Sequence, residues 1–339
     1  MKRRVLAVLA LLSGLSLLVP STASAVPVTR DRADAAAGWL ARQLVDGERF
    51  EVDFGGVRYP DPGLTIDGVF AFAAARTADD HADRAIAWLS RPGTTAGYTG
   101  SGGEAYAGAH AKLMLAAQVA GADPTSFGGV DLEAGLLALL TPSGRFSDHS
   151  AYGDHSNAFS QSLALLALDR TPAGAPVSAV DFLVGTRCPD GGFPLDPAAT
   201  PCASDVDSTA MVTQALQAVG RPREARQGLS WLVGVQNADG GFGSGTKPPN
   251  ANSTGLAAQA LRAGGRDAAA RKAKRFLESL QVDCAGPVGR RGAVAWRATG
   301  FDPATATRAT AQAVLGLADV GLADLRSGGR AGAPVLACP

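Results

Sequence analysis

The chain has 339 residues, and 31 lysines and arginines balance 31 aspartates and glutamates. A formal charge of zero leaves no electrostatic footprint for a nucleic acid or an anionic membrane surface. Glycine (42) and proline (20) are raised, yet stay below the level of a disordered chain, and no linker divides the sequence.

Lys2, Arg3 and Arg4 precede an apolar run from Val5 to Val19, and Ala23-Ser24-Ala25 follows with small residues. A basic start, a short apolar core and a small-residue cleavage site describe a signal peptide over residues 1–25. The run is short for a membrane span. No Cys follows the cleavage site to carry a lipid, and no other stretch is long enough to cross a bilayer. The expected mature protein is extracellular, without a stable membrane anchor, and occupies 26–339 as a single domain.

Beyond the leader, aromatic-aliphatic pairs recur at Trp39-Leu40, Trp88-Leu89, Phe182-Leu183, Trp231-Leu232 and Phe276-Leu277, with a degenerate copy at Leu139-Leu140. The spacing defines six units of roughly 45–50 residues, near the repeat length of two-helix arrays. Each unit is predicted to hold an outer helix with the aromatic residue, a Gly-rich loop and an Ala-rich inner helix. The inner helices are predicted at 64–77, 106–120, 156–169, 207–219, 252–263 and 305–320.

Four stretches repeat near the inner-helix starts. Asp154-x-Ser156 leads to Gln161, Asp207-x-Thr209 to Gln214, Asn252-x-Thr254 to Gln259, and Thr305-x-Thr307 to Gln312. The offset of seven is about two helical turns, so both polar positions share one stripe. Six such hairpins stack as an open solenoid or close into a ring. The absence of polar capping repeats favours the ring, which has no end to cap.

Four cysteines in an exported chain predict disulfides. Three pairings are possible. Locality selects Cys188–Cys202 and Cys284–Cys338, and the lack of a CxxC spacing argues against zinc. No metal or cofactor is expected.

Arg226-x-Gly228-x-x-Trp231-Leu232-x-x-x-Gln236, followed by Asp239-Gly240-Gly241-Phe242-Gly243, resembles the glutamine–tryptophan repeat of the squalene and oxidosqualene cyclases and the related protein prenyltransferases. Weaker copies run through Phe182-Leu183 to Asp190-Gly191-Gly192-Phe193, and through Phe276-Leu277 to Gln281. The residues themselves read as structural. A Gly pair supplies a reversal after the helix, the Phe folds back on the helix pair, and the Gln bonds open backbone groups. The resemblance implies an all-α, (α/α)6 toroid of six helical hairpins, with loops and inner-helix N-termini converging on a central cavity.

Asp205-Val206-Asp207-Ser208-Thr209-Ala210 resembles the Asp-x-Asp-Asp-Thr-Ala motif of class II terpene cyclases, with Ser208 in place of the last Asp. By that resemblance Asp207 falls on the carboxylic acid that protonates an alkene or epoxide, and Asp205 on its partner. The same helix start, Asp207-Ser208-Thr209-Ala210-Met211, also resembles a segment of the secreted transcobalamin and intrinsic-factor carriers. The plainer reading of Asp207 is a carboxylate at the positive end of a helix.

Asp67, His110, Asp154, His155, Asn252 and Arg308 join them near inner-helix starts, and Trp296 sits in a loop on the same side. These are the candidate ligand-binding residues, although histidines in such loops are most often simply solvated. Three functions follow. The first is a secreted protein that binds a small apolar or isoprenoid-like ligand in the central cavity. The second is a terpene-cyclase-type enzyme with Asp207 as general acid. The third is an extracellular structural or interaction scaffold, its partner protein unidentified. A polysaccharide hydrolase or lyase of the toroid type, which needs paired carboxylates, ranks behind these.

Overall fold

The computed structural model describes residues 27–339; the signal peptide expected at 1–25 lies outside them. Two short strands, β1 (Val28–Thr29) and β4 (Val335–Leu336), pair in parallel, and β2 (Glu51–Phe54) with β3 (Val57–Pro60) forms an exposed hairpin. The rest is helical. The inner helices are α2 (Pro62–Ala75), α5 (Ala107–Val119), α7 (Ala158–Leu168), α9 (Val206–Ala218), α11 (Ala251–Ala263) and α13 (Pro303–Ala318). Their bounds differ from the predicted ones by one or two residues. The outer helices are α1 (Arg32–Ala41), α3 (Asp79–Leu89), α6 (Leu132–Leu137), α8 (Val177–Gly185), α10 (Pro222–Val235) and α12 (Asp267–Leu280), with a further short helix, α4 (Pro92–Thr99).

Side-chain caps set where the inner helices begin. Asp61, Asn157, Asp205, Asn250 and Asp302 accept N–H groups at the starts of α2, α7, α9, α11 and α13. Each such cap contributes about 1 kcal/mol. Each inner helix packs on the next, and α13 packs on α2, so the six close into the expected α/α toroid. Small residues allow the close approach. A Cβ at Gly255 would lie 2.3 Å from the carbonyl oxygen of Gln312 on the neighbouring helix.

The outer helices lean chiefly on the inner helix that precedes them, not on the one that follows in the same sequence unit: α3 on α2, α10 on α9, α12 on α11. The first outer helix, α1, therefore packs on the last inner helix, α13, and the two ends of the chain complete one hairpin.

A recurring bond fixes the rotation of the inner helices. Thr65, Thr209 and Thr254 accept the backbone N–H of Phe50, Phe193 and Phe242 at 2.9–3.0 Å. The three phenylalanines are fully buried. In α13 this role falls to Thr310, which accepts from Val294, and in α7 to Gln161, which accepts from Phe146, both at 2.9 Å. Two of the four sequence copies, those at Asp154 and Thr305, are therefore out of register with the structure. Spacing along a helix does not set its rotation about its axis; the anchoring loop does. In true register Arg308, not Thr305, matches Asp207 and Asn252.

A second stitch joins neighbouring units. The Gln236 amide donates to the carbonyls of Gly240 and Ala269 at 2.9 and 3.0 Å. Gln161 does the same with Gly144 and Ala179, and Gln281 with Gly292 and Arg32. The last of these ties the final loop to α1. The glycine is required at Gly240, where φ is +92° and a Cβ would meet the Lys272 carbonyl oxygen at 2.4 Å.

After α13 the chain crosses the C-terminal ends of the inner helices. Leu322 N–H donates to Gln214 Oε1 at 3.0 Å, and Ser327 N–H to the Val119 carbonyl at 2.8 Å. The Arg170 guanidinium donates to the carbonyls of Leu322, Ala323 and Leu325 at 2.9–3.2 Å. Leu322 and Leu325 are buried. The tail then pairs through β4 with β1 and ends at the Cys284–Cys338 disulfide, while Cys188–Cys202 closes the loop before α9, the pairing that locality selected. One end of the ring is plugged, and access to the axis is left to the face of the inner-helix N-termini.

Candidate functional site

The positions two and five residues after the anchoring threonine turn toward the ring axis. They bring Asp67 and Phe70, Met211, Leu256 and Gln259, and Gln312 and Leu315 around a cavity of about 90 Å³, with Leu322 of the tail also in its lining. Phe159, Leu163 and Lys112 complete the wall. The Lys112 ammonium lies 2.6 Å from the Asp67 carboxylate and donates to the Gly63 carbonyl at 2.9 Å. Gln259 Oε1 is buried without a partner. The lining is mixed, with Asp67, Lys112, Gln259 and Gln312 as its polar members.

Toward the N-terminal face a second pocket of about 220 Å³ shares Phe159, Leu256 and Gln312 with the cavity and holds Asp207, Lys247, Asn252, Ser253 and Trp296. Asn252 and Trp296 in turn border a mouth of about 230 Å³ with Thr305 and Arg308. Arg308 is held there by Asp61 Oδ2, at 2.8 Å. Arg297 stacks its guanidinium over the Trp296 ring at 4.8 Å.

Asp205 and Asp207 differ sharply. Asp205 caps α9 by accepting from Ser208 N–H at 2.9 Å, and its other oxygen takes the Ser244 hydroxyl. Asp207 stands in the first turn, and its Oδ1 is buried with no partner. Burial pushes the Asp207 carboxyl up to about 6; the Asp205 charge adds to this, and the Ser253 hydroxyl and Lys247 oppose it. The bonds to both Asp205 oxygens mark that residue as structural, and the buried, raised Asp207 carboxyl is the potential acid. Asn252 Oδ1, at the matching position of α11, is likewise buried and unpartnered.

The structure thus gathers Asp207, Asn252, Trp296 and Arg308 in the upper cleft and sets Asp67 below them on the axis. It places three other candidates elsewhere. His110 is buried with Nδ1 3.0 Å from the Tyr106 carbonyl, and its Nε2 faces Gly135 of α6, away from the axis; burial lowers its pKa. Asp154 braces its own loop, accepting from the N–H groups of Asp148 and Ser156 and pairing with Arg145 at 3.2 Å. His155 is exposed, with Nε2 3.2 Å from the Tyr152 carbonyl. Among the described residues no three His, Cys, Asp or Glu side chains converge as a metal site requires.

Lys112, Lys247, Gln259 and Gln312 were not singled out by the sequence as lining the cleft. Lys112 carries a readable signal, being the one lysine in the six inner helices. The two glutamines were visible as a repeat, but their direction depends on the loop anchor.

No protein-family model and no curated protein matches the sequence. Solved structures do. A protein from Actinoplanes superposes with a TM-score of 0.62 at 18% identity, covering 85% of this chain and 99% of the other. An α-amylase from Clostridium perfringens gives 0.62 at 9% identity, covering 86% and 98%. The ent-copalyl diphosphate synthase of Streptomyces platensis gives 0.51 at 16% identity over 87% of this chain, which spans only 65% of that enzyme. At these identities the likeness establishes the α/α-toroid architecture.

Proposed function

We propose that the protein is secreted as one domain over 26–339 and binds a small, largely apolar molecule through the inner-helix N-terminal face. Its polar end would meet Asp207, Asn252 and Trp296, and its apolar end would point between Phe159 and Leu256 toward the axis. The observation that carries this reading is the buried, unpartnered Asp207 oxygen in a pocket that shares Phe159 and Leu256 with the axial cavity. A buried polar atom without a partner is costly, and a ligand hydroxyl or N–H donating to it supplies the missing bond. The cleft and axial space together fall in the range of small-ligand pockets, roughly 300–1,000 Å³. The axial part, about 90 Å³, is smaller than the roughly 150 Å³ cavity that admits benzene. It suits the tip of a branched chain, with the bulk of the ligand held above. The two disulfides fit an oxidising compartment, and no described helix is long and apolar enough to cross a membrane.

Native mass spectrometry of the mature protein from its own culture medium, without detergent, tests this. A discrete added mass that leaves on denaturation and is lost in Asp207→Asn supports binding. A clean apo mass from the wild type rejects it.

A second reading is supported by the Asp207 carboxyl being raised to about 6 and by the motif resemblance to class II terpene cyclases. Held neutral, Asp207 would protonate an alkene, as general acids of matched pKa do. Incubation with linear isoprenoids would then give cyclised isomers with the wild type and none with Asp207→Asn.

A further inference from the structure

We propose that the outer wall of the ring carries a second binding site, for an anionic polysaccharide, in the groove between the Arg187–Gly191 loop and α10. This site is separate from the cleft and does not depend on the reading of Asp207.

The groove is open, about 610 Å³, and lies between the loop Arg187–Gly191 and one face of α10. Arg187, Arg223 and Arg226 project into it and are exposed. None of the three makes an ion pair among the described residues, because the nearby carboxylates are already engaged. Asp181 and Glu224 pair with Arg221 at 2.8 and 3.3 Å. Asp190, the one carboxylate in the groove, accepts from Ser204 and Gly192 through Oδ1 and from the Trp231 indole through Oδ2. In a chain of zero formal charge, this leaves a local excess of positive charge with free guanidinium donors. Such donors match carboxylate and sulfate oxygens in bidentate geometry.

Shape identifies the ligand class. Arg223 and Arg226 lie about 4.5 Å apart along α10 and Trp231 about 12 Å from Arg223 at 1.5 Å per residue, with Arg187 facing them from the loop, so cationic donors and a ring succeed one another along the groove. That span fits successive units of a chain better than a single ion. The Asp190 bond fixes the half-buried Trp231 ring at 2.9 Å, and the ring is part of the groove lining, an apolar surface for the C–H side of a sugar ring. The Cys188–Cys202 disulfide holds the opposite wall in place, so little ordering is needed on binding. A single-stranded nucleic acid would want a series of stacking rings, and the groove offers one.

The test is titration of the mature protein with heparin, with polygalacturonate and with neutral dextran at low salt. Binding of either charged glycan, with none to dextran, is expected, and the stronger of the two identifies sulfate or carboxylate as the anion. The double variant Arg223→Ala/Arg226→Ala should weaken binding at least tenfold, while Arg58→Ala on the β2–β3 hairpin leaves it unchanged. Both arginines are exposed, so the double variant should fold. Trp231→Ala should also weaken binding, with circular dichroism to check its fold. Three results would overturn the proposal: no binding of either charged glycan, undiminished binding by the double variant, or equal affinity for polyphosphate or single-stranded DNA of matched charge.

Discussion

Gln214 Oε1 accepts the backbone N–H of Leu322 at 3.0 Å, across 108 residues of sequence. A glutamine near the middle of an inner helix thereby holds the tail against the ring, and its own amide nitrogen remains without a partner. The bond sets Leu322 as part of the lining of the axial cavity, and the tail becomes part of the candidate site.

Leu322→Ala should therefore do two things. Truncating a buried leucine costs about 2–5 kcal/mol, and the lower end is expected because one side of Leu322 already faces a cavity. The axial space should also lengthen, so that a longer apolar ligand is retained in native mass spectrometry. Lost stability with no change in the retained ligand would detach the tail from the binding reading.

Asp207 predicts a pH dependence of known sign. In the unfolded chain its carboxyl ionises near 3.8, and in the fold near 6. Between those values the unfolded state has released its proton and the folded state has not, so this group lowers stability as pH rises from about 4 to about 6. Above that range the loss is constant, on the order of 2–3 kcal/mol. Asp207→Asn should raise stability at neutral pH and flatten this segment of the profile. Denaturant unfolding at a series of pH values measures both, and an Asn variant less stable than wild type at pH 7 would contradict the burial account.

The Cys284–Cys338 bond closes a sequence separation of 54 residues. Replacing both cysteines with serine should reduce the unfolding free energy by about 2–4 kcal/mol, mainly through the freer unfolded chain. The tail should stay docked in the native state, because the Arg170 bonds, the Leu322–Gln214 bond and the β1–β4 pair do not involve sulfur. Limited proteolysis within 326–334 at low temperature checks this; rapid cutting there would mean that the disulfide, not the hydrogen bonds, positions the plug.

The all-α class, the six units, the inner-helix bounds and both disulfides were legible because periodicity and locality act along the chain. Helix rotation was not. The copies at Asp154 and Thr305 match the seven-residue spacing, yet Gln161 and Thr310 hold the anchoring bonds, and only the position of a distant Phe or Val backbone N–H decides that. The same ignorance hid Lys112, Gln259 and Gln312 and left His110 among the candidates. Sequence could place a residue near a helix start, but not tell the axis from the face turned to α6.

Thr254 and Gln259 lie five residues apart on α11 and should respond oppositely to loss of their polar groups. Thr254 is fully buried and its hydroxyl accepts the Phe242 N–H at 2.9 Å. Thr254→Val keeps the shape and leaves that N–H without a partner, a loss of about 1–3 kcal/mol. Gln259 is also buried, but its Oε1 has no partner and it borders the axial cavity. Gln259→Leu removes an unsatisfied polar atom, so it should be neutral or stabilising by about 1 kcal/mol, while changing the polarity that a bound ligand meets. Urea unfolding of the two variants side by side measures the contrast. Equal destabilisation by both would mean that Gln259 makes a structural bond of its own, and that the polar lining of the cavity belongs to the scaffold and not to a binding site.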